Sequence, residues 1–152
     1  AIHGPWLREH AGHYSPQVRV RAATGLAIPA AAYKQAQQLR PGMLRRFVEA
    51  VFSRCDVLHL PTLSIPVPTL AETDVGGSAT MGEKIAVRVR CTAPFNYLGL
   101  PALSVPCGFT EYGLPTSFQL VGRPFAEATL LSIAHAYDGV TRSTRRAPSL
   151  PT

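Results

Sequence analysis

Residues 102–121 read ALSVPCGFTEYGLPTSFQLV, and this stretch decides the fold class. Two runs inside it, residues 102–105 and 116–121, are short and largely apolar, as strands are. Between them, residues 110–115 contain a glycine and a proline, which favour a tight turn. The stretch therefore predicts a β-hairpin.

The segments on either side of the hairpin predict helices and one more strand. Residues 126–140 predict a helix, and residues 83–98 favour one. Residues 55–60 form a short apolar run ended by Pro61, which predicts a buried strand. Residues 61–82 hold three prolines and three glycines and predict a long loop. The final helix should bury an apolar stripe made of Leu130, Ile133/Ala134 and Tyr137.

Two helices are predicted in the first third of the chain. Ser15 followed by Pro16 is a favourable helix start, and we expect that helix to reach Ala23 and to be closed by Gly25. A longer helix should begin at Pro29. Its apolar periodicity resumes in phase after Pro41-Gly42, which predicts a kink and not a second helix.

This order of elements predicts an α/β fold with helices packed on a mixed β-sheet. Three strands make a thin sheet, so we expect the sheet to be incomplete in this chain. We expect one domain over residues 1–152, with an irregular segment at 1–13 and a flexible tail at 142–152. The chain opens at Ala1 without an initiator methionine, which is typical of a fragment of a longer protein.

Composition excludes several classes of protein. No apolar run approaches the ~20 residues that span a bilayer, and residues 1–9 lack the apolar core of a signal peptide. The net charge of +6 comes from scattered arginines without a basic block, so a solvated surface is favoured over a nucleic-acid site. Three widely spaced cysteines indicate reduced cytosolic thiols, and Cys107 should be a small core residue.

The histidines offer only a weak metal signal. His3, His10 and His13 lie close together in sequence, but the glycines and proline among them argue against a rigid metal-binding helix. His59 and His135 lie in apolar elements and are expected to be packed residues. We assign no metal ligand and no cofactor.

Four stretches together resemble the amidase signature family. They follow in the family's order for its C-terminal part, from about Tyr14 to Pro148, and together they are highly specific. The first stretch is the long helix from Tyr33 to Phe52, followed by Asp56-Val57-Leu58 and Pro61-Thr62, and the second runs from Thr92 to Ala102. The third comprises Ser104 to Phe109, Gly113-Leu114-Pro115 and Gln119 to Arg123. The fourth comprises Phe125 to Leu131 and Ala134 to Tyr137.

The resemblance implies a hydrolase of carboxylic amides with an α/β/α fold. The family uses a serine nucleophile, a second serine in a cis peptide and a lysine, in a Gly/Ser-rich region that this chain lacks. The nearest string, residues 75–79, reads VGGSA and looks like a loop tip. Lys34 and Lys84 have no serine partner and are expected at the surface. We therefore assign no catalytic residue, and we expect the parent protein to be an enzyme and this chain alone to be inactive.

The resemblance also nominates substrate-binding residues. Arg21 matches the arginine that binds the substrate carboxylate in glutamine-using members, a task that suits a planar guanidinium. Those members carry an acidic residue where this chain has Val89, which argues for a substrate without a free ammonium group. Asn96 and Gln119 are polar residues in apolar stretches, expected to pin loops near the cleft or to contact substrate.

Three functions stay open at this point. The chain is the substrate-pocket part of an amidase, a fragment of the A subunit of glutamyl-tRNA(Gln) amidotransferase, or a stand-alone binding module without catalysis. The expected partners are the missing N-terminal amidase region, a small amide substrate in the intact enzyme and a second copy in a homodimer. We expect a cytoplasmic location and no membrane or nucleic-acid partner.

Overall fold

Three strands form one sheet in the part of the chain that a computed structural model describes, which is residues 2–74, 76, 78–145 and 147. The strands are β1 (Leu58–Pro61), β2 (Ala102–Phe109) and β3 (Pro115–Val121), in the order β1-β3-β2. β2 and β3 form the predicted hairpin. Both strand pairings are antiparallel. A mixed sheet also contains parallel pairs, and none is found among these residues.

The chain forms two compact units, and the expectation of a single domain stays a prediction. The first unit is Ala1–Leu39 with Pro68–Val87, and the second is Arg40–Val67 with Arg88–Thr152. The sheet lies in the second unit. The helices of the chain are α1 (Gly4–Glu9), α2 (Pro16–Ala27), α3 (Ala30–Phe52), α4 (Leu70–Thr73), α5 (Met81–Val89), α6 (Ala93–Leu98) and α7 (Glu127–Thr141).

In the second unit both faces of the sheet are covered by helices. Val121 and Leu120 are consecutive on β3, so their side chains point to opposite faces. Val121 belongs to a core cluster with residues of α3 and α6, namely Phe52, Phe95 and Leu98. Leu120 belongs to a second cluster, which includes Leu130 of α7. The predicted α/β class is confirmed, and the layers are helix, sheet and helix.

The first unit is helical and largely exposed. Ser15 caps α2 by accepting a hydrogen bond from the Val18 amide, as its position predicted. The prediction that Gly25 closes this helix was wrong. α2 continues through Gly25 to Ala27, and it ends where Ile28 adopts the extended conformation favoured before a proline.

Several other sequence expectations need correction. Residues 1–13 are not irregular, because α1 and a 3-10 turn at Ala11–His13 occupy them. The long loop contains α4, which is closed by a capping box between Thr69 and Glu72. The tail at 142–152 includes a 3-10 turn at Ser143–Arg145, residues 146 and 148–152 lie outside the described part, and its flexibility stays a prediction. α3 runs unbroken through Pro41, as expected, whereas the kink itself stays a prediction.

The stripe of α7 is only partly as predicted. Leu130 is buried and Tyr137 is half-buried against the sheet, but Ile133 is exposed at 39%. The helix meets the sheet along Leu130, Ala134 and Tyr137, which leaves Ile133 at the edge of the contact.

Candidate functional site

Gln119 is the buried polar residue at the centre of the second unit. It lies on β3 with 2% of its surface exposed. Its Nε2 donates hydrogen bonds to the carbonyl oxygen of Pro61, at 3.1 Å, and to that of Cys91, at 2.7 Å. Both protons of the amide nitrogen are thereby used within the protein. The expectation that Gln119 pins loops thus has a geometric basis, since it ties the end of β1 and the turn before α6 to the central strand.

Asn96 lies on α6, which follows that turn directly. Phe95 and Leu98 of the same helix are buried, whereas Asn96 is exposed. Asn96 is thus not a buried amide like Gln119, and the expectation that it pins loops or contacts substrate stays a prediction. The apolar neighbours in sequence belong to the opposite side of a short helix, so its side chain is free to meet a ligand or another polypeptide.

The end of α6 is fixed by a glycine and an arginine. Gly99 adopts the left-handed conformation with φ of 74°, and its amide donates to the Phe95 carbonyl. Arg40 Nη2 lies 3.5 Å from the carbonyl oxygen of Leu98. A Cβ at position 99 would overlap the Arg40 guanidinium. Glycine is thus required here both by the backbone conformation and by the close approach of Arg40.

A second arginine holds the end of α3. Arg123 follows β3 and donates from Nη2 to the carbonyl oxygen of Phe52, the last residue of α3. Its guanidinium carbon lies 5.5 Å from the centre of the Phe52 ring, within cation–π range. Sequence patterns assigned no role to Arg40 or Arg123, because their partners are 58 and 71 residues away.

Two hydroxyl groups meet over the same face of the sheet as Gln119. Thr62 Oγ1 and Ser104 Oγ are 3.1 Å apart. Ser104 is opposite Gln119 in the register, so their side chains share a face, and Ser104 is exposed. This pair offers polar contacts at the surface of the sheet, next to the carbonyl of Pro61 that Gln119 binds.

Arg21 lies in the other unit. It is exposed on α2, and among the described residues it has no hydrogen bond or ion pair. Ala22 is half-buried and lines a cleft of about 350 Å³ between α1 and α2, whereas Val18 is 49% exposed. The structure therefore brings Gln119 and the entry to α6 together within one unit and leaves Arg21 in the other. Val89, where the resemblance implies an acidic residue in glutamine-using members, ends α5.

The histidines form ring contacts but no metal centre in the described residues. His3 Nδ1 lies 3.1 Å from Tyr14 Oη, and the rings of His10 and His13 stack. No group of three metal-ligating side chains is found in that part of the chain. His59 contacts the ring of Phe118 but is exposed. His135 is also exposed, so the prediction that both are packed core residues was wrong.

Neither thiol nor serine chemistry is assembled in the described residues. Cys107 was expected in the core but is exposed, because it lies on the outer strand β2 and touches only the Thr116 hydroxyl among polar groups. Of the VGGSA string, Val75 and Gly77 lie outside the described residues. Ser78 is exposed and its hydroxyl lies 3.2 Å from that of Thr80. Lys34 and Lys84 are exposed, as expected.

Comparison with known proteins identifies the family. The family model described as Amidase matches residues 8–131. The chain belongs to the amidase family. The A subunit of glutamyl-tRNA(Gln) amidotransferase from Moorella thermoacetica is 41% identical over 143 residues, which is 90% of this chain and 28% of that protein. A fatty acid amide hydrolase of Medicago truncatula is 34% identical over 88% of this chain and 22% of its own length.

Solved amidase structures share the fold. A crystal structure of an amidase superposes with a TM-score of 0.69 at 28% identity, over 91% of this chain and 31% of that one. The A subunit of glutamyl-tRNA(Gln) amidotransferase from Thermotoga maritima superposes with a TM-score of 0.57 at 29% identity, over 80% of this chain and 26% of that one. The chain thus spans less than a third of the length of these amidases. No helix among the described residues is long and apolar enough to cross a membrane.

Proposed function

We propose that this chain is the C-terminal, substrate-pocket part of an amidase that cleaves carboxylic amide C–N bonds, and that it is inactive alone. The observation that carries the proposal is the match of the amidase family model to residues 8–131 in a chain that spans 28% of its Moorella thermoacetica relative. Amide hydrolysis by a serine enzyme needs a nucleophile within hydrogen-bond reach of a base. The described residues offer Ser78, whose hydroxyl contacts Thr80 and not a lysine.

In this proposal the chain holds and shapes the pocket. Gln119 acts as a positioning residue, because its amide protons are used by Pro61 and Cys91 and are not free for a substrate. Asn96 is exposed on α6 and is the amide that can contact the substrate. Arg21 offers a guanidinium for an anionic or carbonyl group of the substrate. The serine, serine and lysine come from the N-terminal amidase region.

The proposal is tested by measuring ammonia release from a panel of amides with the purified chain. We expect no turnover above the buffer control. A Ser78→Ala variant is the matched control, since Ser78 is the serine of the string nearest to the family's signature. Turnover that disappears in this variant would place the nucleophile in the loop and contradict the proposal.

A fragment of a glutamyl-tRNA(Gln) amidotransferase A subunit is a second candidate. The 41% identity to the Moorella thermoacetica protein favours it, and Val89 disfavours it, because an apolar side chain cannot hold a substrate ammonium group. Activity of the intact enzyme on glutamine, compared with amides that lack the ammonium group, separates the two. A preference for glutamine would establish the second candidate. A stand-alone binding module, the third candidate, predicts a stable chain whose gene has no amidase segment upstream.

Two further assignments accompany the proposed function. We propose a cytoplasmic location, which the odd number and wide spacing of the three cysteines favour. The partners are the N-terminal amidase region and a small-molecule amide.

A further inference from the structure

The short helix α6 is held at both ends by side chains from other elements. With 6 residues it is well below the about 12–15 residues at which a helix becomes stable by itself in water. Before its start, Gln119 of β3 donates to the carbonyl oxygen of Cys91. At its end, Arg40 of α3 reaches the carbonyl oxygen of Leu98. The neighbours of α6, more than its own hydrogen bonds, thus determine where it lies.

Arg40 belongs to the side of α3 that packs against α6. Three residues of α3 contact the core cluster that contains Phe95, namely Leu44, Phe47 and Val51. Arg40 precedes them in a spacing of four, three and four residues, which places all four within about 60° around the helix. An arginine therefore occupies a position where this pattern predicts an apolar residue. Its place on that side brings the guanidinium to the end of α6.

Apolar packing alone does not define the orientation of α6. Phe95 and Leu98 are buried, but contacts between apolar side chains are not directional. Arg40 supplies a directional contact, because its Nη2 lies 3.5 Å from the Leu98 carbonyl oxygen, one of the groups that a helix end leaves without a partner inside the helix. The guanidinium also lies against Gly99, where a Cβ would overlap it. Arg40 thus fixes the last turn of α6.

The exposed side of α6 carries Asn96. It follows the buried Phe95 by one residue, which places its side chain about 100° further around the helix. A rotation or shift of α6 therefore moves the Asn96 amide directly. Displacing a group that binds substrate by about 1 Å is enough to remove much of its contribution.

We propose that Arg40 is a positioning residue, which fixes the orientation of α6 and thereby holds the Asn96 amide in place for the substrate. The inference rests on the proposed function, in which Asn96 contacts the substrate. Arg40 itself does not touch the substrate and acts through the Leu98 carbonyl and Gly99.

The structural part of this inference is tested in this chain by hydrogen exchange followed by NMR. The amides of Gly99 and Leu100 both donate to the Phe95 carbonyl, at 2.8 and 3.1 Å, and report on the last turn of α6. Arg40→Ala should lower their protection factors by about three- to tenfold and those of β3 by less. Arg45→Ala is the matched control, since Arg45 is exposed on α3 about 140° around the helix from Arg40. No loss at Gly99, or an equal loss throughout β3, would overturn the inference.

The functional part is tested by a double-mutant cycle in the intact enzyme. The substrate is benzamide, butanamide or hexanamide, whichever the enzyme hydrolyses fastest. Asn96→Ala removes the substrate contact and should raise KM by about three- to tenfold. Arg40→Ala should raise KM to a similar extent with kcat near that of the wild type. In the double variant KM should be no higher than in Asn96→Ala, because the group that Arg40 positions is already absent.

The outcomes separate this inference from the function on which it rests. If the two increases in KM multiply in the double variant, Arg40 acts independently of Asn96 and the positioning role alone is overturned. An equal fall in kcat on removing Arg40 in both backgrounds, with KM unchanged, would indicate loss of folded enzyme and would also contradict that role. A wild-type KM for Asn96→Ala would contradict the substrate contact of Asn96 itself, and the positioning role would be rejected with it.

Discussion

The side-chain nitrogen of Gln119 lies 2.7 Å from the carbonyl oxygen of Cys91, 28 residues earlier in the chain. The same nitrogen also binds the carbonyl of Pro61. A single buried amide on the central strand therefore anchors two chain segments that enter or leave the sheet. The turn that precedes α6, and with it the position of Asn96, depends on this contact.

Replacing Gln119 by Leu should lower the stability of the chain. The substitution leaves the carbonyl oxygens of Pro61 and Cys91 without their donor. Because these hydrogen bonds are only part-buried, the cost should lie toward the lower end of the about 1–3 kcal/mol of a fully buried unsatisfied group. Urea unfolding followed by circular dichroism measures the change. Gln38→Leu is the control, because Gln38 is exposed on α3. Equal stability of the two variants would show that the Gln119 contacts contribute nothing.

Gly99→Ala should destabilise the chain, whereas Gly139→Ala should not. An alanine at position 99 must adopt a positive φ and displace the Arg40 guanidinium. Gly139 lies inside α7 with nothing within 4 Å of its missing Cβ, so alanine there should stabilise the helix by up to about 1 kcal/mol. Thermal unfolding distinguishes the two.

The double variant Arg40→Ala/Gly99→Ala separates the two causes at position 99. Removing the guanidinium relieves the overlap but not the backbone strain, so part of the loss should remain. Complete recovery in the double variant would mean that φ at Gly99 contributes nothing.

Arg21→Ala should reduce kcat/KM of the intact enzyme by about ten- to hundredfold if the guanidinium binds a substrate anion or carbonyl. This follows from the loss of a charge-assisted hydrogen bond worth about 1.5–3 kcal/mol. Arg19→Ala is the matched control, since Arg19 is exposed on the same helix, about 200° away. Near-wild-type kinetics for both variants would show that Arg21 is a solvated surface residue without a role in substrate binding.

Acid should release the 3-10 turn at Ser143–Arg145 from α7. Hydrogen bonds to Asp138 from the backbone amide and the hydroxyl of Thr144 hold the pKa of that carboxyl below its usual value of 3.8. A lowered pKa means that the contribution to stability is present above the usual value and is lost as pH falls through the lowered one. The protection factor of the Thr144 amide against hydrogen exchange, measured by NMR as pH falls through the lowered pKa of Asp138, should decrease. Asp138→Asn should show no such pH dependence in that range.

Local sequence patterns predicted which residues of the second unit form helices and strands better than they predicted which side chains are buried. The hairpin and α7 follow from alternation, turn residues and helical spacing, which act within a few residues. Burial of Ile133, His135 and Cys107 was predicted wrongly, because periodicity does not reveal which neighbour covers an element. Ile133 lies at the edge of the α7 contact, and Cys107 lies on an outer strand.

The candidate site was only partly accessible from the sequence. Gln119 was recognisable from the sequence as a single amide side chain in an apolar strand. In the structure it is buried, and its amide nitrogen donates two hydrogen bonds. Asn96 carried the same signal but lies on a short helix with an exposed side. Arg40 and Arg123 act on carbonyl groups far away in sequence, and no local pattern points to such partners.

The strand order determines when β1 and β2 can find their partner during synthesis of the chain. Among the described residues β1 and β2 do not pair with each other, and each pairs with β3, which is synthesised last of the three. Gln119 is made 58 residues after Pro61, so at ordinary rates of translation β1 waits about 3–12 s for its partner. During that interval β1 lacks its partner among the described strands. A nascent chain stalled before residue 115 should therefore bind chaperones more strongly than one stalled after the hairpin has emerged.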